Sequence, residues 1–188
     1  MKNRKKDVTT ELEESFKALI LKYPFEKITI KMITDGAGLI RPTFYNHYAD
    51  KYEMLEVICY KDIFEGSELL IENNMTIEAV NFVFTRIEKN KEFYIRAIKI
   101  KGQNAFEDMI YINLVIMFTR YFELHGKNKV IKNEVISQTN VAEYYAKGLT
   151  FIIIRWIESG IKISSKELVD DYKIIVSSSI EEIAKELF

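Results

Sequence analysis

Glycine and proline are scarce in this chain, 7 and 2 of 188 residues. Few positions can take the backbone conformations of tight turns, and few can interrupt a helix. Apolar residues make up 48% of the chain and aromatic residues 13%, enough to fill a core. They recur at spacings of three and four over most of its length, the period of a helix with one buried face. No stretch alternates as a strand requires, and only "KITIK" is ambiguous. The expectation is an all-α protein of about nine helices.

Local signals place them. Thr10-Glu11-Leu12-Glu13 has the capping-box pattern and opens a first helix that Pro24 closes. Thr29 caps a short second helix, "IKMITDGA", followed by a turn at Gly38. A third helix is predicted to begin at Pro42 and run for two turns over "PTFYNHY". Asp50 to Glu53 reads as a second capping box and opens a long fourth helix through Glu72. Helices follow over 76–89, near 93–100, over 103–124, and over 141–160, the last stopped by Gly160. The segment "HGKNKVIKN" is a polar connection. Ser164 to Glu167 caps a final helix to the C-terminus. The expected division is a head over residues 1–50 and a body over 51–188.

Several function classes are disfavoured. The two histidines, His47 and His125, are far apart, and the single cysteine is Cys59. No spacing suits a zinc site, and no glycine-rich phosphate loop or nucleophile motif occurs. Neither an enzyme nor a cofactor is expected. Asp170-Asp171 and Glu181-Glu182 read as solvated helix faces. One cysteine, no signal-peptide pattern and no apolar run of membrane-spanning length favour a cytoplasmic protein. Net charge is −1, but unevenly distributed: residues 1–51 carry 10 basic against 7 acidic side chains, and the remainder 17 against 21. The front end is mildly attractive to phosphate.

The stretch "GLIRPTFYNHYADKYEML" (38–55) concentrates the informative chemistry. A helix, a turn and a short helix begun at proline outline a helix-turn-helix reader of DNA. Hydroxyl and ammonium groups near helix starts suit phosphate, here Thr29, Lys31, Thr43, Tyr45, Tyr48 and Lys51. Arg41, Pro42, Thr43, Asn46 and His47 are placed to meet base edges in a major groove. Phe44 is expected to face the core, with Ile33, Leu39 and Tyr48.

The segment "ITIKMITDGAGLIRPTFYNHYADKYEML" resembles the N-terminal signature of the TetR family of transcriptional regulators. The shared features are Thr29, Ala37-Gly38-Leu39, Thr43-Phe44-Tyr45, His47-Tyr48, and Lys51 with Leu55. The segment "EYYAKGLTFIIIRWIESGIKISSKELV" resembles the body of a subgroup that includes regulators of dihydroxyacetone kinase operons. Ile40, Pro42 and Asn46 depart from the common pattern and leave the target sequence open.

The resemblance implies an Ω-shaped homodimer that binds double-stranded operator DNA. It also implies a body that holds a pocket for a small-molecule effector; a partner protein acting on the body instead is the variant reading. Aromatic residues of the body either pack a core or line an effector pocket; the candidates are Tyr60, Phe64, Phe84, Phe93, Phe106, Tyr111, Phe118 and Trp156. The last two helices are expected to dimerise through Ile153, Trp156, Ile157, Tyr172, Ile175, Val176, Ser179, Ile180 and Ile183. Ser177, Ser178 and Ser179 are read as small residues that let helices approach closely. The functional expectation is a repressor released from a palindromic operator by its effector. The alternative is a partner-controlled adaptor of the same fold that has lost autonomous DNA binding.

Overall fold

A computed structural model describes residues 7–101, 106–126 and 134–186. Among these, eleven α-helices account for nearly all regular structure, and there is no strand.

Helix α1 (Val8–Ile20) buries Leu12, Phe16 and Ile20, one per turn. It starts two residues before the expected Thr10, with Asp7 at the N-cap and the Thr9 hydroxyl donating to the Asp7 carboxylate at 2.6 Å. The Thr10–Glu13 box is not formed, because Glu13 turns to partners elsewhere in the fold. The helix stops at Ile20, before Pro24 acts, where the Lys22 and Tyr23 N–H groups both close onto the Leu19 carbonyl.

Helix α2 (Ile30–Ala37) is capped by Thr29, whose side chain accepts from the Met32 N–H at 3.2 Å. Gly38, at φ 68°, closes it: Gly38 N–H bonds Asp35 O and Leu39 N–H bonds Thr34 O, a Schellman motif. Helix α3 (Arg41–Tyr45) includes Arg41 and is little more than one turn, shorter than expected.

The expected fourth helix is two. Helix α4 (Lys51–Cys59) passes into a π-turn over Tyr60–Phe64, in which Glu65 N–H bonds Tyr60 O. Gly66, at φ 97°, ends the run, and α5 (Glu68–Glu72) follows. The apolar period continues through the break, which hides it. The expected Asp50 box holds in part: Asp50 accepts from the Tyr52 and Glu53 N–H groups, while Glu53 reaches back to Ala49.

The body continues with α6 (Thr76–Lys89), α7 (Lys91–Ala97), α8 (Phe106–His125) and α9 (Gln138–Glu158). Helices α8 and α9 form the main packed pair, and α10 (Ser165–Ser177) packs against α6. The Ser164–Glu167 box is complete, and Gly160 at φ 85° stops α9. The expected start of α8 at 103 and most of the polar connection lie outside the described residues. The final helix also divides. Ser178 is extended, and Ser179 caps α11 (Ile180–Glu186) by accepting from Glu182 N–H and donating its own N–H to the Glu182 carboxylate. The serine run therefore breaks and restarts a helix, by hydroxyl competition for backbone groups. With α4/α5 and α10/α11 each counted as one, the nine expected helices result.

Candidate nucleic-acid interface

The α2–turn–α3 unit is held from beneath. Phe44 is fully buried in the core that also holds Ile33 of α2 and Leu12 and Phe16 of α1. A close approach of α2 to α1 depends on Gly36, where an added Cβ would lie 2.3 Å from Ser15 Oγ. That hydroxyl is fixed by donating to Ile33 O at 2.8 Å. With Phe44 anchored, Arg41, Pro42, Tyr45, Asn46 and His47 are exposed, and Thr43 is half-buried. Tyr45 is 58% exposed with its ring edge-on to Phe44. Thr29 and Lys31 are exposed on the α2 side; Lys31 pairs with Asp35 one turn on. The Thr29 oxygen accepts the cap bond and keeps its O–H to donate.

Two expected DNA contacts face inward instead. Tyr48 is buried, and its hydroxyl donates to the Glu13 carboxylate at 2.7 Å. Burial and the Glu13 charge push its phenol pKa far up. Lys51 Nζ donates to the carbonyls of Phe25 (2.7 Å) and Ile28 (3.0 Å) and stands 4.4 Å above the Phe25 ring. Desolvation by burial lowers its pKa. Lysine at that helix start opposes the helix dipole, and the structure accounts for it through the carbonyls it caps, with no bound anion required. The two carboxylates of Asp50 and Glu53 already serve the N-terminus of α4.

Glu13 also accepts from Lys61 Nζ at 2.7 Å, and Lys17 pairs with Asp62 at 2.6 Å. The Tyr94 hydroxyl of α7 reaches Asp62 at 3.4 Å. A polar clamp thus joins α1, Tyr48 beyond α3, the π-turn and α7. Nothing in the sequence marks it, because its members are 32 to 48 residues apart.

In the body, Phe84, Phe93, Phe106 and Trp156 sit in the packed core, and Tyr111 is half-buried. Phe118 lines a recess of about 300 Å³ between α6, α8, α9 and α10, with Thr76, Ile77, Val80, Tyr121, Phe122, Tyr145, Tyr172 and Val176. Periodicity does not single out Thr76, Tyr121, Phe122 or Tyr145, since each also fits an ordinary helix face. Tyr60 and Phe64 line a smaller recess of about 180 Å³ beside the π-turn, with Arg120 and Glu68.

The expected dimer residues also divide. Ile153, Trp156, Ile157 and Tyr172 are buried within the subunit, where Trp156 of α9 and Tyr172 of α10 both meet the Phe84 ring of α6 edge-on. Val176 and Ile183 are half-buried, and Ile175, Ser179 and Ile180 are exposed. The outward apolar side of α9 instead carries Tyr144 and Phe151, 73% and 66% exposed, beside Gly148 and Ile152. A groove of about 440 Å³ runs between this side and Ile175 on α10. Periodicity reveals that α9 is apolar on both sides but not which side meets its own subunit.

Residues 75–178 match the family model TetR_C_8, described as "Transcriptional regulator C-terminal region". That match covers more than half of the chain. The chain belongs to the TetR family of transcriptional regulators.

The fold is similar to the structure named "Dihydroxyacetone kinase operon activator DhaS" at 20% identity, over 95% of each chain, with a TM-score of 0.62. It is also similar to a putative TetR-family transcriptional regulator from Syntrophomonas wolfei at 15% identity, over 92% of this chain and 96% of that one, with a TM-score of 0.69. The fatty acid degradation regulator FadR from Bacillus halodurans shares 11% identity over 95% of this chain and 99% of that one, with a TM-score of 0.63. No curated protein matches the chain. At these identities the TetR-like fold alone is common ground. No helix among the described residues is long and apolar enough to cross a membrane, and none of their side chains cluster as a metal site.

Proposed function

We propose that this TetR-family chain is a cytoplasmic, homodimeric repressor that binds a near-palindromic operator and leaves it when an effector occupies the body. The observation that carries this reading is the outward row on α3 and the turn that follows it. Arg41, Tyr45, Asn46 and His47 stand exposed, while Phe44 between them is fully buried and holds the helix in place. A side-chain set fixed in this way can enter a major groove without first ordering itself.

Two copies are needed because one short helix reads few bases. Half-sites one turn apart are spaced by about 34–36 Å. The exposed Tyr144, Phe151 and Ile175 supply the face for pairing. Specific binding exceeds non-specific binding by about 4–10 kcal/mol in such systems, so misplacing one head removes most of the selectivity. Tyr145, Tyr172 and Val176 line both the inner recess and the groove on the pairing face, which supports coupling between effector and dimer geometry. Coupling is reciprocal, so operator DNA weakens effector binding.

The inward Lys51 and the paired Lys31 favour a second reading, the partner-controlled adaptor, by reducing the cations offered to phosphate. Fluorescence anisotropy on DNA from upstream of the protein's own gene, at several salt concentrations, separates the two. Binding that weakens with salt and is lost in a Tyr45→Ala/His47→Ala variant supports the regulator. No preference over random DNA, followed by failed selection from a random-sequence pool, supports the adaptor.

A further inference from the structure

The inner recess restricts what can occupy it. At about 300 Å³ it lies at the small end of the range for small-molecule sites, room for one ring or two fused rings. Five of its nine described lining side chains are aromatic, and they offer ring faces and edges to a flat guest. None of the nine carries a charge. A carboxylate or ammonium placed there would give up part of its hydration, with no opposite charge among the described lining residues to replace it.

Hydrogen bonding is nonetheless available. Thr76 contributes a hydroxyl, and Tyr121 donates its own proton to Asn74 Oδ1 at 3.0 Å, leaving its oxygen to accept. Tyr172 is held as a neutral phenol: burial, with a smaller contribution from Tyr145, raises its pKa to about 12.

The geometry points to an uncharged aromatic molecule of one or two rings, bearing a hydroxyl or carbonyl group, as the ligand of this recess. The inference rests on the reading of the chain as an effector-controlled regulator, and it names the effector's chemical class. A ring of this kind stacks among Phe118, Phe122 and Tyr145 while its polar atom meets the Tyr121, Tyr172 and Thr76 hydroxyls.

The test is isothermal titration of the DNA-free full chain with 1-naphthol, beside 1-naphthoate and phenyltrimethylammonium as charged probes of similar ring character. The expected result is one 1-naphthol per subunit, bound at least about tenfold more tightly than either charged probe. Val80→Phe, which fills the floor, and Thr76→Phe, which fills the half-exposed rim, should each weaken it by a similar factor, with thermal melts confirming that they fold. A charged probe binding as well as 1-naphthol, no binding of 1-naphthol, or binding indifferent to both folded variants overturns the assignment. Tyr45→Ala/His47→Ala keeps the two readings apart. It should retain 1-naphthol while losing DNA, so a chain that never binds DNA yet binds 1-naphthol fails as a regulator and not in its ligand class.

Discussion

The Tyr48 hydroxyl donates a 2.7 Å hydrogen bond to the Glu13 carboxylate, and so ties the residues after α3 to the first helix of the head. Glu13 is shared with Lys61 of the π-turn, so one carboxylate links the residues after α3 to the π-turn. Tyr48→Phe keeps the buried ring and removes only the hydroxyl. Stability should fall by about 1.5–3 kcal/mol, the usual net worth of a hydrogen bond to a charged group. Glu13→Leu should cost more, since it strands both partners. Chemical denaturation of the two variants checks this order; equal midpoints with the parent chain would show that the clamp contributes nothing.

Lys51 is assigned to carbonyl capping, and stability and salt dependence should respond differently when it is replaced. Lys51→Met leaves the Phe25 and Ile28 carbonyls without their donor and should destabilise the fold by about 1–2 kcal/mol. The dependence of DNA affinity on salt should stay unchanged, whereas removing a cation that binds phosphate would reduce the slope by about one. A reduced slope with unchanged stability would return Lys51 to the DNA surface.

Gly36 and Ser15 should behave as a coupled pair. Gly36→Ala introduces a Cβ 2.3 Å from Ser15 Oγ, and overpacking of this kind costs about 1–3 kcal/mol. Ser15→Ala removes the obstructing oxygen, so the double variant should be more stable than additivity allows. Additive losses in a denaturation cycle would mean that α1 and α2 move apart freely.

The outward side of α9 should set the oligomeric state. Phe151→Lys places a charge on an exposed apolar face without disturbing the subunit core. Sedimentation equilibrium should show the variant as a monomer at concentrations where the parent is a dimer. A variant that still dimerises locates the interface elsewhere.

Alkaline pH should destabilise the chain through its buried phenols. Tyr172 titrates near pH 12 when folded, and burial also raises the pKa of Tyr48 and Tyr94. An unfolded tyrosine ionises near pH 10. Between those values the folded state holds more protons, so stability declines as pH rises through the window. It is fully present below about pH 10. Tyr172→Phe should flatten part of that decline; an identical slope in the variant would count against the neutral phenol in the recess.

Much of this structure is legible where one residue decides one backbone feature. Thr29, Gly38, Gly160 and the Ser164–Glu167 pair act within a few positions and appear where local chemistry requires them. The break after Cys59 is not legible from periodicity, because the spacing of four at Leu55, Cys59 and Ile63 suits an α-turn as well as a wider π-turn. The Ser179–Glu182 cap is visible in principle, but a run of small serines reads equally well as a packing surface. The inward turn of Lys51 depends on residues more than twenty positions away, which no local pattern contains, while Tyr48, expected both in the core and at phosphate, takes the core place. The same holds for α9, whose two apolar sides are told apart only by the position of α8.

Lys17, Lys31, Lys51 and Lys61 all have partners within the fold. Were the head to meet DNA, the counterions it displaced would come from exposed cations outside this set, Lys22, Lys27 and Arg41 among them. Charge removal at the four paired lysines would then register as lost folding, and charge removal at Arg41 as lost grip.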